Sequence, residues 1–473
     1  MGFLTFALAL TVSLGNAQAP APLQPCELPR LSEPARCGVL EVFEDRAAAS
    51  GRKIPLRVVV LPATGSPRAA DPLFILQGGP GQAASSLADF YAEAFAKVRA
   101  HRDIVLVDQR GTGGSNALDC DLFGDGSDPQ KFLGSSWPVE AVRECRGKLA
   151  ARADLALYTT PIAMEDLDAV RAWLGYETIN LYGTSYGTMA GREYMRRHPS
   201  RVRAAVLRAA VAPERSWAVY HGRNAHQALE RLFALCVAEA RCRAAYPDPR
   251  KDLEATFARI GDGGATVTVD GRAVTLRKPA AVAAIRAGLT APASAVQLPQ
   301  MLRKAAGGDL VPLATTALAV RRGSARELAE GMFLTVACSE LLAGVDKAAL
   351  ARESGRTFAG TDAIDELMAA CAVWPPAAPS RPAGPLPKDV PVLVISGWHD
   401  PSTPPESGEL VARAFGNSRH MVIRHAGHSF NNLKGCVDEV IASFLAAGSL
   451  AGLDLSCAER VAMPAFLDGR ADP

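Results

Sequence analysis

The sequence has no excess of charge of either sign: 51 Lys and Arg stand against 49 Asp and Glu, a formal net charge of +2. The basic residues are spread along the chain, which removes any case for a nucleic-acid or acidic-surface partner. Past its first residues the chain lacks an apolar run long enough to span a bilayer, about 20 residues, so no stable membrane partner is expected. It has no C-x-x-C pair and no Cys/His cluster at zinc-binding spacing, so neither a metal nor another cofactor is implied. No internal repeat is present.

What is there is a hydrophobic content of 48%, that of a folded protein, in 473 residues, enough for a large core. The longest apolar run is "FLTFALALTVSLG" (3–15), followed by small residues. It reads as a secretory signal peptide, residues 1–17, with cleavage before Gln18. No Lys or Arg precedes the run, and the competing reading is an N-terminal membrane anchor. The ten cysteines fit export, to the periplasm or beyond. Sequential pairing (26–37, 120–145, 236–242, 338–371, 436–457) is the expected arrangement, although spacing alone leaves connectivity open.

The apolar pattern gives two opening strands, "CGVLEVFED" (37–45) and "IPLRVVVLP" (54–62), then strands and helices in alternation: "LFIL" (73–76), "DIVLVD" (103–108), "TINLYG" (178–183) and "VRAAVL" (202–207). Short apolar runs between helices indicate a parallel sheet covered on both faces. The alternation stops near Pro213, continues as Ala-rich helical sequence with one hairpin (265–276), and resumes after the Pro-rich stretch "WPPAAPSRPAGPLP" with "VPVLVISG" (390–397) and "SRHMVIR" (418–424). The expected organisation is therefore a core of residues 35–213 and 388–465, interrupted by a mainly helical cap, residues 214–387.

"GTSYG" places Ser185 where a strand ends and a helix begins, the position of a nucleophile on a strained turn. A serine hydroxyl needs a base to take its proton, and that base needs a carboxylate to orient it. Asp400 in "GWHDPSTPP" and His428 in "GHS" follow the next two strands in the required order. His425, His399 and Asp438 are the rivals. An oxyanion hole is expected from the backbone N–H of Tyr186 and from the loop "GGPG", where Gly79 is the candidate. Arg110 in "DQRGTGGS" reads as a brace for that loop, and "RRGSARE" (321–327) as a solvated helix start. Trp217, Trp374 and Trp398 are candidates for an apolar pocket.

Taken together, "GGPG" (78–81), "DQRGTGGS" (108–115), "GTSYG" (183–187), "GWHDPSTPP" (397–405) and "GHS" (427–429) resemble the proline iminopeptidase and tripeptidyl aminopeptidase family, over residues 37–457. "CSE" (338–340) and "CAVWP" (371–375) look most like its secreted branch, which commonly joins such cysteines. The resemblance implies an α/β-hydrolase fold, with a mostly parallel sheet, helices on both faces and an inserted helical cap. It also implies peptide substrates with a free N-terminus, and it makes Glu340 the candidate for amine capture. Two departures bear on the substrate: Gln77 stands where many relatives have His, and Arg208 to Pro213 replaces the usual "DG-V-D-P". An esterase or amidase uses the same triad, and a non-catalytic binding protein of this fold is the alternative from another class. Whether one residue or a tripeptide is released, any proline preference and the oligomeric state are not written in the sequence.

Overall fold

A computed structural model of the chain describes residues 23–374, 376–377, 384–430 and 434–467. The expected signal peptide and half of the Pro-rich stretch lie outside the described residues. Nine strands form one sheet in the order β1-β2-β3-β5-β4-β6-β7-β10-β11. They are β1 (Gln24–Leu28), β2 (Leu31–Phe43), β3 (Lys53–Leu61), β4 (Leu73–Leu76), β5 (Ile104–Val107), β6 (Ile179–Thr184), β7 (Val202–Arg208), β10 (Val392–Gly397) and β11 (Ser418–Ile423). The pairs from β5 to β11 are parallel, and β1 to β3 are antiparallel to their neighbours. A separate hairpin joins β8 (Ala265–Val269) to β9 (Arg272–Leu276). Its Asp270-Gly271 turn has φ of 52° and 74°, the two positive values that a tight hairpin turn demands.

The sheet divides the core in two. Along β3, Ile54, Leu56, Val58 and Val60 enter one apolar cluster while Val59 and Leu61 enter the other, as a two-residue side-chain period requires. β4, β5, β6 and β10 are buried along their whole length, because helices cover both faces. Each fully buried Val, Leu or Ile contributes roughly 1.5–3 kcal/mol, so these central strands anchor the fold. Among the helices, α1 (Thr160–Trp173) precedes β6 and α2 (Tyr186–Arg197) follows it.

β7 and β10 are parallel neighbours, with Val392 opposite Ala205. The chain between them therefore leaves the sheet and returns one strand over, which makes it an insertion. It contains α3 (His221–Ala238), α4 (Lys278–Gly288), α5 (Val311–Glu327), α6 (Glu330–Val336), a π-turn at Ala337–Leu341 and α7 (Asp362–Val373). After it, α8 (Pro405–Arg413) packs on β10 and β11, and α9 (Val437–Ala447) closes the far face.

The sequence pattern misses β1 and the first part of β2. Pro25 and Pro34 argue against strands there, yet β1 is the sheet edge, where proline is tolerated. The apolar-periodic run 325–342 is not one helix: Leu328 and Ala329 are extended, and the Ala329 N–H donates to the Gly81 carbonyl at 3.0 Å. "RRGSARE" is the C-terminal end of α5, not a helix start.

Five disulfides join the cysteines sequentially, as expected. Cys338–Cys371 ties the π-turn to α7 across 33 residues. By loop entropy such a closure is worth about 3–4 kcal/mol. Replacing both cysteines by alanine is expected to lower the thermal midpoint by several degrees in calorimetry.

Candidate active site

Four loops meet at the C-terminal ends of the parallel strands. β6 delivers Ser185, β4 the Gly78–Gly81 loop, β10 Asp400 and β11 His428. Ser185 is the N-cap of α2 with φ 54° and ψ −122°, a positive φ that non-glycine residues rarely hold. The turn is tight enough to require its glycines. A Cβ on Gly183 would lie 2.5 Å from the Gly187 carbonyl oxygen, and one on Gly187 would overlap the Leu76 carbonyl. The Ser185 N–H donates to the Arg208 carbonyl at 3.0 Å, fastening the turn to β7.

His428 Nδ1 lies 2.8 Å from Asp400 Oδ2. Asp400 is fully buried and accepts from the N–H of Ser402 (2.7 Å), the N–H of Thr403 (2.9 Å) and the Thr403 hydroxyl (2.8 Å). Burial alone pushes its carboxyl up, but His428 and these donors outweigh burial and hold it below the ordinary 3.8. Asp400 is thus an anion whose lone pairs are already directed, suited to orienting an imidazole. Its stabilising contribution is present above the unfolded carboxylate value and is lost as pH falls through the lowered folded one.

The rivals stand elsewhere. Asp438 pairs with Lys97 at 3.0 Å near the start of α9. His399 is buried with no hydrogen-bond partner for either ring nitrogen among the described residues, and burial drives it down to about 4. His425 carries a buried, unpartnered Nδ1 and is held low by burial.

A cavity of about 590 Å³ lies over the site, lined by Gly78, Gly79, Ser185, Tyr186 and His428 from the sheet side and by α4, α5 and α7 from the cap. Gly78 packs against the serine, its Cβ position 3.2 Å from Ser185 Cβ. As the first residue of α2, Tyr186 has a backbone N–H with no intrahelical acceptor. Its ring is buried, and its hydroxyl bonds Gln109 Nε2 (3.0 Å) and Thr160 Oγ1 (2.7 Å); burial and nearby Glu340 raise the phenol. The arrangement can therefore activate an alcohol nucleophile and receive a developing oxyanion at helix α2.

Arg110 is wholly buried but does not brace the glycine loop directly. It grips Asp166 of α1 with two nitrogens (2.6 and 2.9 Å) and the carbonyls of Glu44 and Leu157. The loop is held instead by Ala329 and by Asp108, which accepts from Ser85 N–H and hydroxyl, both at 2.8 Å. Glu340 stands behind the cavity wall, its Oε1 accepting the Thr160 N–H at 2.7 Å, while burial raises its carboxyl. The carboxylates on the lining are Asp362 and Glu366 of α7, which the sequence reading did not single out. Of the three candidate tryptophans, Trp217 lines the cavity, Trp374 is core with its indole N–H on Thr335 Oγ1 (3.1 Å), and Trp398 is exposed beneath Arg231.

Comparison with known proteins agrees with this fold. Residues 71–243 match the family model "alpha/beta hydrolase fold", and residues 356–457 match "TAP-like protein". The chain has the α/β-hydrolase fold, and its C-terminal part matches the TAP-like model. The serine protease Hip1 of Mycobacterium tuberculosis is 27% identical over 461 residues, covering 88% of this chain and 86% of that protein. The tripeptidyl aminopeptidase of Streptomyces coelicolor is 25% identical, covering 90% and 84%. A proline iminopeptidase structure from Mycobacterium smegmatis aligns over 88% of this chain and 99% of its own at 18% identity, with a TM-score of 0.41.

Two substitutions probe this α/β-hydrolase site through hydrolysis of a nitrophenyl ester. Asp400→Asn is expected to lower kcat on the order of 10⁴-fold, by presenting the imidazole with the wrong hydrogen-bond partner. Gly187→Ala forces a side chain against the Leu76 carbonyl and is expected to abolish turnover and lower the thermal midpoint together.

Proposed function

We propose that this protein is an exported serine peptidase that releases a single residue or a tripeptide from the free N-terminus of short peptides. Ser185 attacks the peptide carbonyl, His428 takes its proton and returns it to the leaving amine, and Asp400 holds the ring and supports the imidazolium. The N–H groups of Gly79 and Tyr186 receive the oxyanion, and water then clears the acyl-enzyme. The observation that carries this reading is one cavity holding Ser185, His428 and two cap carboxylates, Asp362 and Glu366.

An ammonium buried without a partner costs several kcal/mol, so an aminopeptidase needs acidic groups on its cap. In this proposal Asp362 meets the amine together with Glu366, whose Oε2 accepts the Ser136 N–H at 2.8 Å but which lines the cavity, whereas Glu340 bonds the Thr160 N–H behind the wall. Glu340 adds negative charge beside Tyr186. A volume near 590 Å³ lies within the roughly 300–1,000 Å³ of ordinary ligand sites and suits a short peptide better than a folded chain. Trp217, Val282, Leu328, Phe333 and Leu341 give it apolar surface for proline or another apolar residue. The likeness to a serine protease, Hip1, and to a Streptomyces tripeptidyl aminopeptidase supports peptide bonds over simple esters. Five disulfides, together with the apolar N-terminal run, support export.

Hydrolysis of prolyl, alanyl and tripeptidyl anilides, each with a free or acetylated amine, tests the reading. Free-amine substrates are expected to be favoured at least tenfold. The double variant Asp362→Asn/Glu366→Gln is expected to raise their KM roughly ten- to a hundredfold, the loss of a charge-assisted hydrogen bond. Equal cleavage of acetylated substrates overturns the aminopeptidase and leaves an amidase or esterase.

A further inference from the structure

Three guanidinium groups line the cavity over Ser185: Arg208, Arg286 and Arg321. They are not equivalent. Arg208 donates from Nη1 to the His428 carbonyl (3.0 Å) and from Nη2 to Thr184 Oγ1 (2.6 Å), and it lies over the Phe430 ring. Its bonds tie the histidine loop to the strand that carries the serine. Burial favours the neutral form of Arg321, but the charge of Glu366, on the same lining, favours its protonated form.

Arg286, on α4, has no such counter-charge to itself. Its hydrogen bonds run from Nη1 to two carbonyls, His221 at 2.9 Å and Pro401 at 3.5 Å, and it makes no ion pair with a carboxylate among the described residues. The negative charge it feels is Asp400, whose oxygens already serve His428, Ser402 and Thr403. Burial pulls Arg286 down to about 10, which still leaves it protonated at neutral pH. An unpaired buried cation is costly, and a guanidinium with its plane fixed on one side offers its remaining N–H groups as a fork for a carboxylate.

Its position selects which carboxylate. Pro401 belongs to the loop that follows Asp400, and the carbonyl of Thr290, just beyond α4, accepts the Ser429 N–H at 2.7 Å, next to His428. Arg286 thus stands on the wall formed by the acid and histidine loops. His428 delivers its proton to the leaving group, so this wall is the leaving-group side. We infer that Arg286 is a specificity-determining residue that binds a carboxylate on the leaving fragment. That carboxylate is either the C-terminus of a short peptide or an acidic side chain next to the scissile bond. The inference rests on the proposed function only for which bond is cut.

The test compares a tetrapeptide as free acid, as C-terminal amide, and as an amide with aspartate on the leaving side. A parallel pair, acyl esters of 4-hydroxybenzoate and of 4-hydroxybenzamide, asks the same question without a peptide bond. The acid is expected to exceed the amide at least tenfold in kcat/KM, carried by KM, and the benzoate ester to exceed the benzamide ester likewise. Preference for the aspartyl amide identifies a side-chain carboxylate, and preference for the free acid alone identifies the C-terminus. Arg286→Met is expected to bring each ratio to within twofold, and Arg286→Lys to retain part of it. Equal handling by the wild type of all three peptides, and of the benzoate and benzamide esters, overturns the inference. So does an Arg286→Met variant that slows every substrate alike and keeps the ratio, because that is the signature of a structural support for Asp400. Absence of peptide cleavage with the ester ratio intact overturns the peptidase reading and leaves Arg286 in its role.

Discussion

The site depends on one close backbone approach, that of helix α2 to the end of strand β4. Gly187 sits so near the Leu76 carbonyl that no side chain fits between them, and Gly183 is pressed on Gly187 in turn. With both neighbours fixed, Ser185 has to bridge strand and helix at φ 54°. The strain is held because β6 is buried between β4 and β7 and α2 packs on the same apolar cluster. The first N–H groups of the helix have no acceptor within it, and the proposed oxyanion site uses this end. Everything else in the site is arranged around this turn: Gly78 against the serine, Arg208 behind it, and His428 across from it in the same cavity.

The cap takes part in the site as well as covering it. Where α5 gives way to α6, the extended Leu328–Ala329 segment bonds the Gly81 carbonyl and so holds the loop proposed to supply half of the oxyanion hole. The same cap presents acidic Asp362 and Glu366 and basic Arg286 and Arg321 to one cavity. A pocket with both signs of charge is matched by a zwitterion, and a short peptide is one. The Cys338–Cys371 disulfide fastens α7, the helix with the two carboxylates, to the π-turn.

Much of this was legible in the sequence, for a physical reason. Central parallel strands such as "LFIL" and "IVLV" are buried on both faces and so are apolar throughout, and glycines at 183 and 187 mark a turn with no room for side chains. Asp400 and His428 were singled out by their order after β10 and β11, and the fold sets them 2.8 Å apart. What escaped were contacts set by the folded chain alone. Pro25 and Pro34 hid an edge strand. The periodicity of residues 325–342 gave no sign that Ala329 would leave the helix to bond Gly81. Arg110 was placed near the correct loop but engages Asp166, and Glu340 was taken for a pocket residue, whereas its neighbour Leu341 faces the cavity. Asp362, Glu366 and Arg286 carry no local signature at all, because their proposed roles come from two cap helices, α7 and α4, meeting over a serine far away in sequence.

The most direct test of the central claim is covalent. Incubation with a fluorophosphonate, followed by digestion and mass spectrometry, reads which hydroxyl the site activates. The account predicts one adduct, on Ser185, formed stoichiometrically by the wild type and suppressed by at least a hundredfold in rate when His428 is replaced by alanine. Labelling at another residue, or labelling of Ser185 at the same rate without His428, would contradict it.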